Sequence, residues 1–373
     1  MIYFDNAATT YVNKEILESF VTAVEKVSGN SSSLHKEGTK ALAMEQRAKK
    51  QIASYFNAEE NDILFTSGAT ESNNLAIRGV AFKYQNRGRH IITTKIEHLS
   101  VLETLKQLEE MFNFEVTYLD VNEEGVISIE DLKNSIREDT ILVSIMSVNN
   151  EVGSIQPIEE IGLLLKKYPK IYFHVDATQS IGKLNINYDN VDLLSLSGHK
   201  IHSFKSFGIL LKRKNVSLLP VNTGGGHQNG YRSGTTNVPA EIAIAKAIRF
   251  AFENQDKWYK HAVELRNHLV DELVKIDGVT LNSTEKCSPF IISFAVNKKA
   301  SVVQQALSDK DIYVSTKSAC SSKKEFSSYV LEEMKKDKWV SGNSLRVSFS
   351  YENTIEEIDL FIKELKSILV SIK

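Results

Sequence analysis

Short apolar runs alternate with amphipathic stretches over much of the chain. Runs of about four to eight apolar residues indicate buried strands, and apolar residues spaced by three or four indicate helices with one packed face. Strands are predicted at 63–65, 90–93, 114–118, 140–145, 170–175, 191–197 and 208–212, and helices begin near residues 14, 36, 70, 100 and 158. Repeated strand–helix–strand units favour a mostly parallel sheet with helices on both faces. Ligands of such sheets bind beyond the carboxyl ends of the strands.

The pattern changes after a long helical stretch from Pro239 to about Lys275, inside which we expect a break or bend. The remainder has strands near Val279, at 290–296 and at 344–349, and a final helix from about 354. A chain of 373 residues exceeds the usual size of a single core. We therefore predict an α/β fold with two domains, 1–260 and 261–373, in which residues 1–30 pack against the smaller, α+β domain.

Composition and charge exclude some functions. Apolar residues make up 42% of the chain and charged residues 25%, which is ordinary for a globular protein. The net charge of -2 and the absence of a basic block argue against direct nucleic-acid binding. We find no signal-peptide pattern and no membrane-length apolar run, so we expect a cytoplasmic protein without a membrane partner. Two cysteines, Cys287 and Cys320, are too few for a disulfide framework.

A buried strand at 191–197 delivers a polar turn that ends in Lys200. Lysine is rarely buried without a partner. This amine is therefore either a side chain that reaches back to solvent or one held against a ligand, and the segment by itself favours the first interpretation.

Other strand ends carry polar groups as well. The small-residue turn 66–74 opens a helix, which predicts either a plain N-cap or an anion site at the helix start. His98, Asn150 and Asp176 follow three further strands. An unpaired carboxylate at the end of an apolar strand is costly, so Asp176 requires a cationic partner. Together these groups match the needs of pyridoxal phosphate: a lysine for its aldehyde, a carboxylate for its ring nitrogen and a helix start for its phosphate.

Six segments carry a family resemblance: 5–10 (DNAATT), 66–74 (TSGATESNN), 97–98 (EH), 148–153 (VNNEVG), 174–180 (HVDATQS) and 197–200 (SGHK). In order and spacing they resemble the NifS/IscS-like cysteine desulfurases of the class V aminotransferases, essentially end to end. The resemblance implies a fold type I pyridoxal-phosphate enzyme with a sheet of the seven-stranded type. It also implies removal of sulfur from L-cysteine to give L-alanine, with no metal.

The resemblance assigns roles residue by residue. Lys200 is similar to the Schiff-base lysine, Asp176 to the partner of the pyridinium nitrogen and Gln179 to the donor for the ring hydroxyl. His98 matches the imidazole stacked on the ring, which shuttles protons, and Asn150 matches an asparagine beside cofactor and substrate. The phosphate-binding positions are Ala69, Thr70, Ser197 and His199.

Three further residues extend the implied site. Thr235 matches a threonine that reaches the phosphate of the neighbouring subunit, which implies a homodimer. Arg346 resembles the arginine that binds the substrate carboxylate, although by itself it would be interpreted as a surface strand residue. Cys320 matches the loop cysteine that takes the sulfur as a persulfide and passes it to an acceptor in iron–sulfur cluster assembly or tRNA thiolation. Cys287 matches no motif and is interpreted as structural.

The sequence departs from the family pattern at several positions. Ser203, Phe204 and Ser206 replace glycine, proline and glycine after Lys200, and His227, Gln228 and Asn229 replace glutamine, glutamate and arginine in the glycine-rich loop. Lys317 replaces a glycine before Cys320, and Ser31 replaces a proline. We expect the 203–206 loop to follow a path that serine tolerates. Two alternatives remain open: another class V activity, such as selenocysteine lyase or transaminase, and a cofactor-binding partner with weak catalysis.

Overall fold

The computed structural model describes residues 1–316 and 327–372. Within these ranges, no helix combines the length and the apolar character needed to cross a bilayer. The same part of the chain holds no group of three or more His, Cys, Asp or Glu side chains arranged to bind a metal ion.

Strands and helices alternate through most of the chain. The strands β1 to β12 are Ile2–Tyr3, Ile63–Thr66, His90–Thr94, Glu115–Leu119, Thr140–Ser144, Tyr172–Asp176, Leu193–Ser197, Gly208–Lys212, Val279–Leu281, Ile291–Val296, Ile312–Tyr313 and Ser344–Ser348. The helices α1 to α11 are Lys14–Lys26, Lys36–Ser54, Ala69–Tyr84, Leu99–Phe112, Ile129–Ser135, Ile158–Leu165, Val238–Leu273, Ala300–Ser308, Tyr329–Glu333, Lys338–Gly342 and Ile355–Ser371.

The largest sheet has seven strands in the order β2-β8-β7-β6-β5-β3-β4. All neighbouring pairs are parallel except the two that involve β8, which runs antiparallel to β7 and β2. The prediction of a mostly parallel sheet flanked by helices is confirmed. Because the parallel strands end at one edge, the residues that follow β3, β5, β6 and β7 come together there.

Both faces of this sheet are covered, which explains why its strands read as continuous apolar runs. Ile63 and Phe65 lie in one hydrophobic cluster and Leu64 in another on the opposite face. Leu193 and Leu194 divide between the faces in the same way. The alternation of side chains along a strand therefore supplies two cores from one run of apolar residues.

Helix α7 runs unbroken from Val238 to Leu273, so of the predicted break or bend the break is wrong. A polar stretch inside the helix suggests a loop in the sequence, but Ala251 and Trp258 on either side of it are both buried. Seven residues are about two helical turns, so both side chains lie on one packed face. Of the polar residues between them, Glu253, Asp256 and Lys257 are exposed on the outer side of a continuous helix.

The C-terminal part contains the antiparallel sheet β12-β10-β9. Its hydrophobic cluster includes Leu265 and Leu269 of α7, and also Ile2 and Phe4 from the start of the chain. Strand β1 pairs in parallel with β11. The division into domains at residue 260, with 1–30 packing on the smaller one, remains a prediction; these contacts are what supports it.

Candidate active site

A cavity of about 430 Å³ lies at the carboxyl ends of the parallel strands. All the residues proposed above for cofactor and substrate binding line it, except Thr235. They are Ala69, Thr70, His98, Asn150, Asp176, Gln179, Ser197, His199, Lys200 and Arg346. The sequence therefore predicted half of the lining of one cavity, although these residues come from six separate parts of the chain.

The turn between β2 and α3 forms one wall. Gly68 has φ 142° and ψ 177°, a conformation reached almost only by glycine. Gly68 is the N-cap of α3 and has no side chain that could accept a hydrogen bond from the first turn. The backbone N–H groups of that turn, including those of Ala69 and Thr70, therefore face the cavity without a capping acceptor. The hydroxyl of Ser197 faces this turn, since a Cβ atom added to Gly68 would lie 3.5 Å from it. Such uncapped N–H groups at a helix start favour an anion.

Asp176 is the last residue of β6 and is only 6% exposed. Its carboxylate accepts hydrogen bonds from Asn73 Nδ2, at 2.8 Å, and from the Thr178 backbone N–H, at 3.0 Å. Among the described residues, no lysine, arginine or histidine side chain lies within salt-bridge distance of it. Neutral donors therefore hold this carboxylate in place, and the cationic partner expected from the sequence is not a described side chain.

A hydrogen-bonded chain links Asp176 to His98. Asn73 Nδ2 also donates to Ser100 Oγ, at 2.9 Å, and Ser100 Oγ lies 2.8 Å from His98 Nδ1. The Ser100 backbone N–H donates to the same Nδ1, which makes that nitrogen an acceptor. Burial lowers the pKa of His98, so the ring is neutral and carries its proton on Nε2.

Lys200 lies in a short turn after β7. Its Nζ donates to the carbonyl oxygens of Ala7 and Ala8, which line the cavity. Gln179 Nε2 donates to the same Ala7 oxygen, at 2.9 Å. The small-residue segment after β1 thus provides the carbonyl groups that orient two of the predicted site residues.

Arg346 lies in the middle of β12 and is 2% exposed, so it is not a surface strand residue. Its Nη1 donates to the Asn150 carbonyl and its Nη2 to Asp5 Oδ1, both at 2.7 Å, while Nε lacks a partner among the described residues. The guanidinium reaches the cavity from the smaller sheet. It keeps a donor for a ligand carboxylate while Asp5 balances its charge.

His199 is held by the segment that follows β1. Its Nδ1 lies 3.1 Å from Thr9 Oγ1. Burial, together with the charges of Lys200, Lys205 and Lys183, lowers the pKa of His199 to about 4. The imidazole is therefore neutral at physiological pH and can contribute to anion binding only through an N–H group.

The departures after Lys200 have different structural consequences. Ser206 lines the cavity and adopts φ 57°, which is left-handed backbone, so the expectation of a path that suits serine is wrong at this residue. Ser203 lies outside the left-handed region and is 1% exposed, but its hydroxyl is without a described partner. Phe204 packs against Phe20, with ring centroids 4.6 Å apart. Burial of Ser203 and the packing of Phe204 hold the first part of the loop, and the left-handed conformation follows at Ser206.

The other departures lie farther from the cavity. Gln228 is buried; its Oε1 accepts from the Phe65 backbone N–H and its Nε2 donates to Glu45. A glutamate there could not donate to Glu45, so glutamine suits this environment. Asn229 has φ 57° in the turn beside it, and His227 Nδ1 accepts from the Gly234 N–H.

One predicted binding residue, Thr235, lies away from the cavity. Thr235 is exposed and lines a separate pocket with Ser28, Gly29 and Asn30, ahead of α7. Ser31 is hydrogen-bonded to Thr236 beside it. Cys320 and Lys317 lie outside the described residues. Cys287 is buried beside Thr284 and burial raises the pKa of its thiol, which is consistent with a structural role.

Comparison with known proteins identifies the family. The family model for the aminotransferases of class V matches residues 2–361. The chain belongs to this family. A NifS/IcsS protein homolog from Lactobacillus delbrueckii subsp. bulgaricus is 42% identical over 97% of this chain and 95% of its own. Cysteine desulfurase IscS from Dictyoglomus turgidum is 39% identical over 100% of this chain and 95% of its own.

Solved structures agree with this assignment. A NifS-like protein superposes with a TM-score of 0.93 at 39% identity and covers 99% of each chain. SspA in complex with cysteine superposes with a TM-score of 0.83 at 34% identity, over 95% of this chain and 100% of its own. The resemblance to the NifS/IscS-like class V aminotransferases is thus confirmed.

Several residues of this class V aminotransferase site were not assigned a role from the sequence. Asn73 and Ser100 lie within or next to the recognised motifs, yet only the fold shows that they connect Asp176 to His98. Asp5 lies 341 positions from the arginine that it contacts. Its position in the first recognised motif is the one signal that could have indicated it.

Proposed function

We propose that this chain is a cysteine desulfurase that uses pyridoxal 5'-phosphate to convert L-cysteine to L-alanine. The observation that carries the proposal is the convergence of Lys200, Asp176, His98 and Arg346 on one cavity. An amine, a buried carboxylate, a neutral imidazole and a carboxylate-binding guanidinium serve an amino-acid substrate better than any other class of ligand.

The residues of the cavity fit the cofactor. The uncapped start of α3, with Thr70, Ser197 and His199, would hold the phosphate. Asp176 is kept in place by neutral donors and would hold the ring nitrogen in its protonated form. The buried Thr178 hydroxyl has no hydrogen-bond partner among the described residues and borders the same cavity. When bound, the cofactor would supply an electron sink for the bonds broken in the substrate.

The side chains then have distinct tasks. Lys200 would bind the cofactor covalently through Nζ, and its two carbonyl partners keep it oriented. His98, with its proton on Nε2, would give or take a proton above the ring. Arg346 would bind the substrate carboxylate through the guanidinium N–H groups that are not used in its hydrogen bond to Asp5.

The sulfur step requires a thiol. We assign it to Cys320: its thiolate attacks the sulfur of the bound cysteine, the C–S bond breaks, and the carbon is protonated to give alanine. One cysteine and one enzyme thiol thus yield one alanine and one enzyme persulfide. That persulfide would pass its sulfur to an acceptor protein in iron–sulfur cluster assembly or tRNA thiolation.

We further propose a homodimer. On α1, Leu17, Val21 and Val24 are 45%, 47% and 51% exposed, and their spacing puts them on one helix face. An exposed apolar stripe of this kind is typical of an interface between chains. Thr235 lies beyond the end of the same helix, in the pocket next to Ser28, where a second copy could use it.

The test is incubation with L-cysteine and a reductant while alanine and sulfide are both measured. We expect equal amounts of the two products, loss of sulfide release in Cys320→Ala, and near-normal release in Cys287→Ser. Alanine production that survives in Cys320→Ala would contradict the desulfurase assignment and favour a selenocysteine lyase. Cofactor binding without either product would favour the weakly catalytic partner.

A further inference from the structure

Lys183 is a buried lysine that the site described above does not use. It is 8% exposed, and no carboxylate among the described residues lies within salt-bridge distance of it. It shares a small second cavity with Lys200, whose walls include the aromatic rings of Trp258, Phe349 and Tyr351. Burying an ammonium group without a carboxylate is unfavourable, so the position requires an explanation.

Among the described residues, the side chain of Lys183 makes one hydrogen bond, and it leads to the active site. Lys183 Nζ donates to Gln179 Oε1, at 3.3 Å, and the amide nitrogen of Gln179 donates to the Ala7 carbonyl. That carbonyl also accepts from Lys200 Nζ. The buried amine is therefore connected through one carboxamide to the part of the cavity wall that contacts Lys200.

The chemistry of these groups permits one amide orientation. An ammonium group only donates and a carbonyl oxygen only accepts. With the amide of Gln179 reversed, two donors would meet at Lys183 and two acceptors would meet at Ala7. The observed orientation leaves the second N–H of Gln179 Nε2 for a ligand oxygen in the cavity.

We propose that Lys183 is a positioning residue that fixes the carboxamide of Gln179 so that its N–H, and not its oxygen, faces the cofactor oxygen. The inference rests on the proposed use of pyridoxal 5'-phosphate. It concerns a residue that touches neither cofactor nor substrate and acts through Gln179.

Electrostatics supports the same role. Burial, reinforced by the Arg346 charge, lowers the pKa of Lys183 to about 8, so the amine is mostly charged at neutral pH. Its charge in turn contributes to the lowered pKa values of His199 and His202. Lys183 therefore adds positive charge beside a cavity that binds an anionic ligand.

The experiment compares Lys183→Met with Lys212→Met in the full-length protein. Methionine keeps the length and apolar character of the stem but cannot donate a hydrogen bond. Lys212 is the matched control, because it is 5% exposed and donates to the Val216 carbonyl at the far end of β8 from the cavity. The readouts are the equilibrium affinity for pyridoxal 5'-phosphate and the pH titration of the absorbance of the bound cofactor.

We expect Lys183→Met to weaken cofactor binding by about three- to tenfold, the usual effect of one buried hydrogen bond. We also expect a higher pKa for the bound chromophore, because a nearby positive charge and a fixed donor are lost together. Lys212→Met should change neither readout. In a Gln179→Leu background, adding Lys183→Met should change both readouts less than it does in the parent, because the hydrogen bond is already absent and only the charge of Lys183 is lost.

The outcomes separate the two proposals. A parent protein that binds no pyridoxal 5'-phosphate would overturn the proposed function and, with it, this inference. Cofactor binding in the parent with an unchanged affinity and titration in Lys183→Met would overturn this inference alone, as would an equal effect of Lys183→Met with and without Gln179. If Lys183→Met does not fold, Lys183→Leu provides the same comparison with a shorter side chain that also cannot donate a hydrogen bond, and an unchanged titration again overturns the inference.

Discussion

Two turns that border the same cavity both contain a residue with positive φ, but the residue is a glycine in one turn and a serine in the other. Gly68, ahead of α3, has φ 142° and ψ 177°, whereas Ser206, after Lys200, has φ 57°. The first conformation is reached almost only by glycine, and the second is the left-handed helical region, which other residues enter at about 1–2 kcal/mol. The comparison shows which glycine of the family pattern can be replaced. A serine is tolerated at 206 because a strain of about 1–2 kcal/mol reduces, but does not exceed, a net stability of about 5–15 kcal/mol.

Crowding separates the two turns further. A Cβ atom on Gly208 of β8 would lie 2.6 Å from the Gly68 Cα, so the backbone of the first turn is pressed against a strand. Ser206 is exposed and has room for its side chain. The turn that would hold the phosphate is therefore constrained by close contact with β8, whereas the turn after Lys200 has room at Ser206.

The largest effect is expected for Gly68→Ala. The substitution should lower the free energy of unfolding by about 1–3 kcal/mol, because alanine cannot adopt this backbone without strain. It should also weaken binding of pyridoxal 5'-phosphate, because relief of the strain moves the N–H groups of Ala69 and Thr70. Chemical denaturation and cofactor titration measure the two effects. Unchanged stability and affinity would show that the turn at Gly68 does not require glycine, and would contradict the comparison.

Ser206→Gly should have the opposite sign. Glycine relieves the left-handed strain, so we expect the free energy of unfolding to rise by up to about 1–2 kcal/mol, less the entropy that glycine adds to the unfolded chain. Turnover of L-cysteine should rise by less than about tenfold, which corresponds to about 1.4 kcal/mol in the barrier. A gain of several hundredfold would show that the native loop cripples catalysis.

Ser203→Gly should change stability less than Ser206→Gly does. Ser203 is not in left-handed backbone, so glycine relieves no strain there. Removal of a buried hydroxyl that has no described partner is favourable, while the greater freedom of glycine in the unfolded chain is unfavourable, and the two effects oppose each other. Denaturation of the two single variants side by side provides the comparison, and equal stabilisation by both would contradict it.

The smallest effect is expected for Lys205→Met, in the same loop as Ser206. The Lys205 charge contributes to the lowered pKa of His199, so its removal should raise that pKa from about 4. Burial is the larger cause and remains, so His199 should stay neutral at pH 7 and cofactor affinity at that pH should hardly change. Titration of the His199 ring protons by NMR measures the shift. A pKa that falls would contradict the assigned electrostatics.

Much of the fold could be predicted because burial leaves a local record in the sequence. Strands buried on two faces read as apolar runs, and the strands of the large sheet lie close to where the runs predict them. Helices α5 and α8 were not anticipated, since Ile129–Ser135 and Ala300–Ser308 are short and bury few side chains. The break predicted in α7 is wrong because a run of consecutive polar residues resembles a loop when only the sequence is considered, although here the residues stay helical.

The sequence by itself determined which chemical groups follow the strands of the large sheet. Because the carboxyl ends of parallel strands lie at one edge of the sheet, it also determined that these groups lie near one another. That is why Lys200, Asp176 and His98 could be placed at one site in advance. Tertiary structure alone decided the contacts between distant segments: Asp5 against Arg346, Asn73 between Asp176 and Ser100, and the Ala7 carbonyl between Gln179 and Lys200. Periodicity records how each segment is buried, but a hydrogen bond between segments depends on how whole elements pack, and no local pattern carries that information.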